Sequence, residues 1–234
     1  MVPMNPYETS ITLFPYELTL QQGEKKPGVL LLVETETGQK GWGDIAPLKG
    51  WSGESYTEAL EAAKALRDQI YRKDLTPIEL PPSVHFGYEM AMHQIQHPLE
   101  QDLTDIRITT LLQGTPDEIL AKPTQKDIKL KVGNHTLEQA CQLVSTYRNT
   151  HTLRVDFNGQ WPLEQVLTFC QRFDAKDFLY LEDPVANPQL LPSFIETTGY
   201  PTALDALALR MPSAAIRNLP GTAHVIIKPS LIGS

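Results

Sequence analysis

Leu153-Arg154-Val155-Asp156-Phe157-Asn158-Gly159 decides how the second half of this chain folds. Leu153 to Phe157 is an apolar run too short for most helices. It meets an acidic residue and then an Asn-Gly turn. The same design recurs on both sides. Runs at Ile106–Leu112, Ile128–Val132, Phe178–Leu181, Thr202–Leu204 and Val225–Ile227 alternate with helical stretches at Leu137–Tyr147, Leu163–Phe173 and Pro188–Thr197. Such alternation predicts βαβ units and a parallel sheet.

A charged residue stands at the end of nearly every run. Lys131 to Asp156 is 25 residues, Asp156 to Glu182 is 26, and Glu182 to Asp205 and Asp205 to Lys228 are 23 each. Each step is about one strand-loop-helix-loop unit. In a (β/α) barrel the C-terminal strand ends converge on one mouth, where active sites sit. Asp156, Glu182 and Asp205 would repel one another there, and one would be forced to take a proton. A hard divalent cation relieves this, and Mg²⁺ suits oxygen ligands. Lys129 and Lys131 precede the carboxylates and Lys228 follows them. A lysine close to a divalent cation and another lysine has a lowered pKa and can act as a base near neutrality. Singly these residues say little. A strand-end Asp is commonly a helix N-cap, a strand-end Lys is commonly solvated, and Asp183 before Pro184 is an ordinary turn former. The joint pattern carries the reading.

The first half reads differently. Residues 11–36 predict two strands around a polar turn at Gln21–Gly28, with Val29–Val33 as an apolar run, and Gly41–Pro47 a third short strand. Ser55 with Glu58 forms a capping box ahead of a helix whose apolar face is Ala59, Leu60, Ala63, Leu66 and Ile70. A Pro-rich loop, Thr76 to Pro82, precedes a second helix over Phe86–Gln94.

The chain has 234 residues, 41% hydrophobic and 21% charged, which is ordinary for a globular protein. Its net charge of −8 and pI near 5.2 argue against nucleic acid or an anionic membrane as partner. Cys141 and Cys170 read as two buried thiols, because two distant Cys make neither a disulfide scaffold nor a zinc site. No apolar run approaches the ~20 residues needed to span a bilayer and no leader is visible, so a cytoplasmic location is expected. Gly-x-Gly-x-x-Gly, Walker-type and Gly-x-Ser-x-Gly motifs are absent from the sequence. His93 and His97, at i and i+4, lack a third ligand and read as surface-helix residues.

Lys129-Leu130-Lys131, Asp156-Phe157-Asn158-Gly159, Leu181-Glu182-Asp183-Pro184, Asp205 and Lys228-Pro229-Ser230-Leu231-Ile232-Gly233 together resemble the o-succinylbenzoate synthase branch of the enolase superfamily. Gly41-Trp42-Gly43-Asp44-Ile45-Ala46-Pro47-Leu48 resembles its strand and specificity loop, and Phe86-Gly87-Tyr88-Glu89-Met90-Ala91 its capping-domain helix. The resemblance implies an α/β, enolase-like fold. An N-terminal α+β capping domain would occupy 1–100 and a partial (β/α) TIM-type barrel 101–234. It implies Asp156, Glu182 and Asp205 as Mg²⁺ ligands, with Mn²⁺ as a substitute. Lys131 is then the base, Lys228 the enediolate-stabilising group on the opposite face, and Lys129 an electrostatic partner of Lys131. The implied activity is a hydro-lyase reaction on a small-molecule carboxylate, forming o-succinylbenzoate in menaquinone synthesis.

Family members continue through two further strands, so a missing C-terminal segment or a second chain is expected after Ser234. The isolated chain is expected to be inactive as a synthase. Two other activities of the superfamily, N-acylamino-acid racemase and dipeptide epimerase, usually carry Lys-x-Lys in the sixth strand. Here the position reads Ile226-Ile227-Lys228, which favours the synthase. A non-catalytic remnant is the remaining alternative.

Overall fold

The computed structural model describes residues 9–20, 23–74, 76–97, 108–122, 124–220 and 223–233. The chain forms two compact units, residues 1–102 with 228–234, and residues 103–227.

In the first unit, β1 (Thr9–Thr19), β2 (Lys25–Thr35) and β3 (Lys40–Ile45) form an antiparallel meander. Alternation along β2 buries Val29, Leu31 and Val33 on one face. These residues pair with Ile45, Gly43 and Gly41 of β3. Helix α1 (Tyr56–Arg72) starts at Ser55, whose hydroxyl accepts the Glu58 N–H while the Glu58 carboxylate accepts the Ser55 N–H. It buries Ala59, Ala63, Leu66 and Ile70, the face the sequence predicts apart from half-buried Leu60. Helix α2 (Pro82–Gln96) approaches β3 backbone to backbone. A Cβ at Gly43 would overlap the Gly87 carbonyl, and one at Gly41 the Ala91 carbonyl.

Two element starts in the first unit lie four residues earlier than the sequence reading places them, and in the second unit the last strand is Ala223–Val225 where Val225–Ile227 was expected. The strand β2 begins at Lys25 instead of after Gly28, because its register with β1 runs on to Lys25 opposite Thr19. The Tyr16 ring lies over Gly28 and takes the place of the missing side chain. Helix α2 starts four residues before Phe86, since Pro82 fits the first helical turn, where its absent N–H costs nothing.

The second unit is a parallel sheet in the order β4 (Thr110–Leu112), β5 (Asp127–Lys131), β6 (Thr152–Asp156), β7 (Tyr180–Glu182), β8 (Thr202–Leu204), β9 (Ala223–Val225). Between them run α3 (Pro116–Leu120), α4 (Leu137–Tyr147), α5 (Leu163–Cys170), α6 (Leu191–Thr198) and α7 (Ser213–Arg217); α8 (Pro229–Ile232) follows β9 and packs on α2. Part of the expected Ile106–Leu112 strand lies outside the described residues. The short helices α3 and α7 are absent from the sequence reading, although Thr115 and Glu118 form a capping box on α3. The Tyr200 hydroxyl donates to the carbonyls of Cys170 (2.8 Å) and Phe173 (2.5 Å), tying β8 to α5. Phe157, Trp161, Phe169 and Phe178 stack edge-on or tilted beneath it. The sheet is open, so this unit is an incomplete (β/α) barrel.

Candidate active site

Parallel pairing puts equivalent residues side by side. Lys131 pairs with Asp156, and Asp156 with Glu182, at the C-terminal ends of β5, β6 and β7. One layer below, Lys129, Arg154 and Tyr180 share a row. Residues two apart in a strand face the same side, so both rows face one way.

From the lower row Lys129 reaches up to the carboxylates. Its Nζ stands 3.0 Å from Asp156 Oδ2 and 2.5 Å from Glu182 Oε1. Both acids are buried, at 1% and 0% exposure. Burial pushes the Glu182 carboxyl up to about 7, the charge of Asp156 adds to this, and the Lys129 hydrogen bond opposes it. For Lys129, burial alone would lower the pKa. The Glu182 hydrogen bond and the two carboxylate charges outweigh burial and raise it. Arg154 donates to Asp127 (3.2 Å) and lies 5.8 Å from the centre of the Tyr180 ring, which completes the charge balance of the lower row.

The carboxylates are fixed from behind. Asp156 Oδ1 accepts the Asn158 N–H (2.9 Å), and Asn158 itself has a left-handed backbone, φ 49°. The Phe157 N–H donates to the Glu182 carbonyl (3.0 Å). Asp205 follows β8, is 8% exposed, and its charge contributes to raising Glu182. Glu182 Oε2 is buried with no hydrogen-bond partner, and Asp156 Oδ2 has only the Lys129 charge. Among the described residues no group of three or more His, Cys, Asp or Glu side chains is drawn together tightly enough to hold a metal. The Lys129 ammonium is what neutralises the pair here. An oxygen-only donor set with an orphaned buried oxygen still suits a hard cation.

Of the residues singled out in the sequence, the structure joins Lys129, Asp156 and Glu182 by direct contact and sets Lys131 next to Asp156. Lys129, expected as a partner of Lys131, is engaged by the carboxylates. Lys228 lies in the first unit, three residues past β9. Its ammonium is 4.0 Å from the centre of the Trp51 ring. Trp51 belongs to the loop Leu48–Ser55, which lines a cleft of about 780 Å³ with Lys25 and Lys26. The His93 and His97 rings stack on each other at 4.6 Å. Sequence reasoning passed over Arg154, Asp127 and Tyr180; the signal available was their fixed offset of two residues, or four for Asp127, from Asp156, Glu182 and Lys131.

Residues 8–95 match the family described as MenC, N-terminal domain, and residues 117–208 match Enolase C-terminal domain-like. The chain is 31% identical to o-succinylbenzoate synthase of Vibrio cholerae serotype O1 (strain M66-2), covering 95% of this chain and 73% of that one. It is 32% identical to the synthase of Edwardsiella ictaluri, covering 95% and 74%. The chain belongs to the o-succinylbenzoate synthase family. It is therefore an enzyme of the lyase type within the enolase superfamily. Its fold is shared with o-succinylbenzoate synthase of Thermosynechococcus elongatus BP-1, solved with Mg in the active site. That match has a TM-score of 0.64 and 24% identity, and covers 96% of this chain and 77% of that one. An L-Ala-D/L-Glu epimerase superposes with a TM-score of 0.72 at 21% identity, covering 98% and 79%.

Proposed function

We propose that this protein dehydrates a hydroxycyclohexadiene carboxylate to o-succinylbenzoate, as a cytoplasmic enzyme of menaquinone synthesis. The observation that carries the reading is the row Lys131–Asp156–Glu182, aligned at three adjacent strand ends with Lys129 beneath it. Family membership supports it.

The hard step is making a carbanion beside a carboxylate. Lys131 is the base: its amine takes the proton α to the carboxylate. The electron pair is held as an enediolate; its return breaks the C–O bond, the ammonium of Lys131 gives the departing hydroxyl the proton it had taken, and water leaves while the ring becomes aromatic. Asp156, Glu182 and Asp205 would hold Mg²⁺, or Mn²⁺ in its place, which would supply positive charge where negative charge develops on the enediolate oxygens. The family resemblance implies Lys228 as a further cation that stabilises this negative charge. Lys129 holds Asp156 and Glu182 together in the buried floor through its two ion pairs.

Val225, at the end of the edge strand β9, is 43% exposed, and Ile227, two residues past that strand, is 68% exposed. Their exposure supports added strands there, from a C-terminal segment or a second chain. Ile226-Ile227-Lys228, without a second lysine, favours dehydration over two-base racemisation. The test is to give the full-length protein the synthase substrate, an N-acylamino acid and a dipeptide, each with Mg²⁺. Formation of o-succinylbenzoate is the expected result. Racemisation or epimerisation without dehydration would move the protein to the neighbouring activities.

A further inference from the structure

Asp183, read in the sequence as a turn residue before Pro184, is used at every polar backbone and side-chain group. It is 2% exposed and its backbone is left-handed, φ 41°, a region that among non-glycine residues Asn and Asp enter most readily. Its N–H donates to the Ala203 carbonyl (2.9 Å), and its own carbonyl accepts the Gly159 N–H (2.9 Å). Its carboxylate accepts two further backbone donors, the N–H of Asp205 at Oδ1 (2.9 Å) and the N–H of Ala206 at Oδ2 (2.8 Å). One residue thus ties together the loops that follow β6, β7 and β8. A turn former needs none of the contacts to β8.

We propose that Asp183 is a positioning residue for the third carboxylate: by clamping two successive N–H groups it fixes the backbone from which Asp205 projects. This rests on the reading of Asp205 as a metal ligand. Asp183 follows Glu182 directly in the chain, so the residue that clamps the Asp205 backbone adjoins a second of the three acids. Outer partners that hold ligands in place are worth about 10–100-fold in metal affinity.

The test is calorimetric titration of Mg²⁺ into the full-length protein and into D183G, D183N and D205A, with far-UV circular dichroism on each. Glycine accepts the left-handed backbone but offers no acceptor; asparagine accepts it and keeps one. The expected order of affinity is parent, then D183N, then D183G, with D183G at least about tenfold weaker. D205A separates the two levels of the argument. If D205A binds Mg²⁺ as tightly as the parent, the metal reading fails and the inference falls with it. If D205A binds weakly and D183G binds like the parent, the inference alone is overturned. It is overturned equally by a D183N as weak as D183G, since the retained acceptor then does nothing. Should D183G lose its helical signal, D183N decides: weaker binding in a folded protein supports the clamp, parent-level binding refutes it.

Discussion

The Lys129 ammonium lies 2.5 Å from Glu182 Oε1, joining residues 53 positions apart in the chain. One cation serves two buried carboxylates, because Asp156 Oδ2 is 3.0 Å away on the other side. Removing one member of such a cluster leaves buried charge uncompensated, which costs about 3 kcal/mol or more. K129M should therefore lower the stability of the metal-free protein by about that amount, read as a shift in urea midpoint. Added Mg²⁺ should recover part of the loss. An unchanged midpoint would mean the ammonium is not what holds the two acids together.

A second expectation concerns α2 and β3. Gly43 faces the Gly87 carbonyl with no space for a methyl group, and both partners are backbone. Neither a strand nor a helix axis yields as a side chain would. G43A should destabilise the first unit by about 2 kcal/mol or more, seen as a lower thermal midpoint. A G43A protein with the parent's midpoint would show that the helix slides freely along the sheet.

The Tyr16 hydroxyl donates to Asp44 Oδ1 at 2.8 Å. Burial first, then the Asp44 hydrogen bond and charge, push its pKa up to about 12 from 10.0. The folded state holds this proton more tightly than the unfolded chain, so the contribution is complete below pH 10 and is lost as pH rises towards 12. The stability advantage of the parent over Y16F should shrink across that window. A difference constant from pH 9 to pH 12 would exclude the linkage.

Cys170 is 8% exposed and burial raises its thiol to about 12; burial raises Cys141 as well. Thiolate is the reactive form. At pH 8 a thiol reagent should label neither cysteine of the native protein and both after denaturation. Prompt native labelling at either position would contradict the packing around α4 and α5.

Strand and helix existence was legible because each element carries a one-dimensional signal. Val29, Leu31 and Val33 alternate, Ala59, Ala63, Leu66 and Ile70 repeat at helical spacing, and Asp156 and Glu182 close their strands as the charge pattern indicates. Boundaries were less legible where a tertiary contact decides them. Lys25–Gly28 reads as turn on composition, yet pairing with β1 and the cover of Tyr16 extend the strand through it. At the site, residue identity was visible and partnership was not. Lys129 next to Lys131 in sequence suggests a lysine pair; only the register across β5, β6 and β7 sends its ammonium to the carboxylates. Asp183 shows the same limit, since an Asp-Pro step looks like a turn until the backbone of residues 205 and 206 is seen against it.

The central claim is that Lys131, beside Asp156, is the base of a dehydration. Arginine in its place keeps the positive charge but stays protonated and has no lone pair to accept a proton. The deciding measurement is o-succinylbenzoate formation by the full-length protein and by K131R, side by side with Mg²⁺, with circular dichroism and Mg²⁺ affinity recorded for both. The account predicts product from the parent and none from K131R at unchanged fold and metal affinity. Product formed by K131R at a rate near the parent's would contradict it.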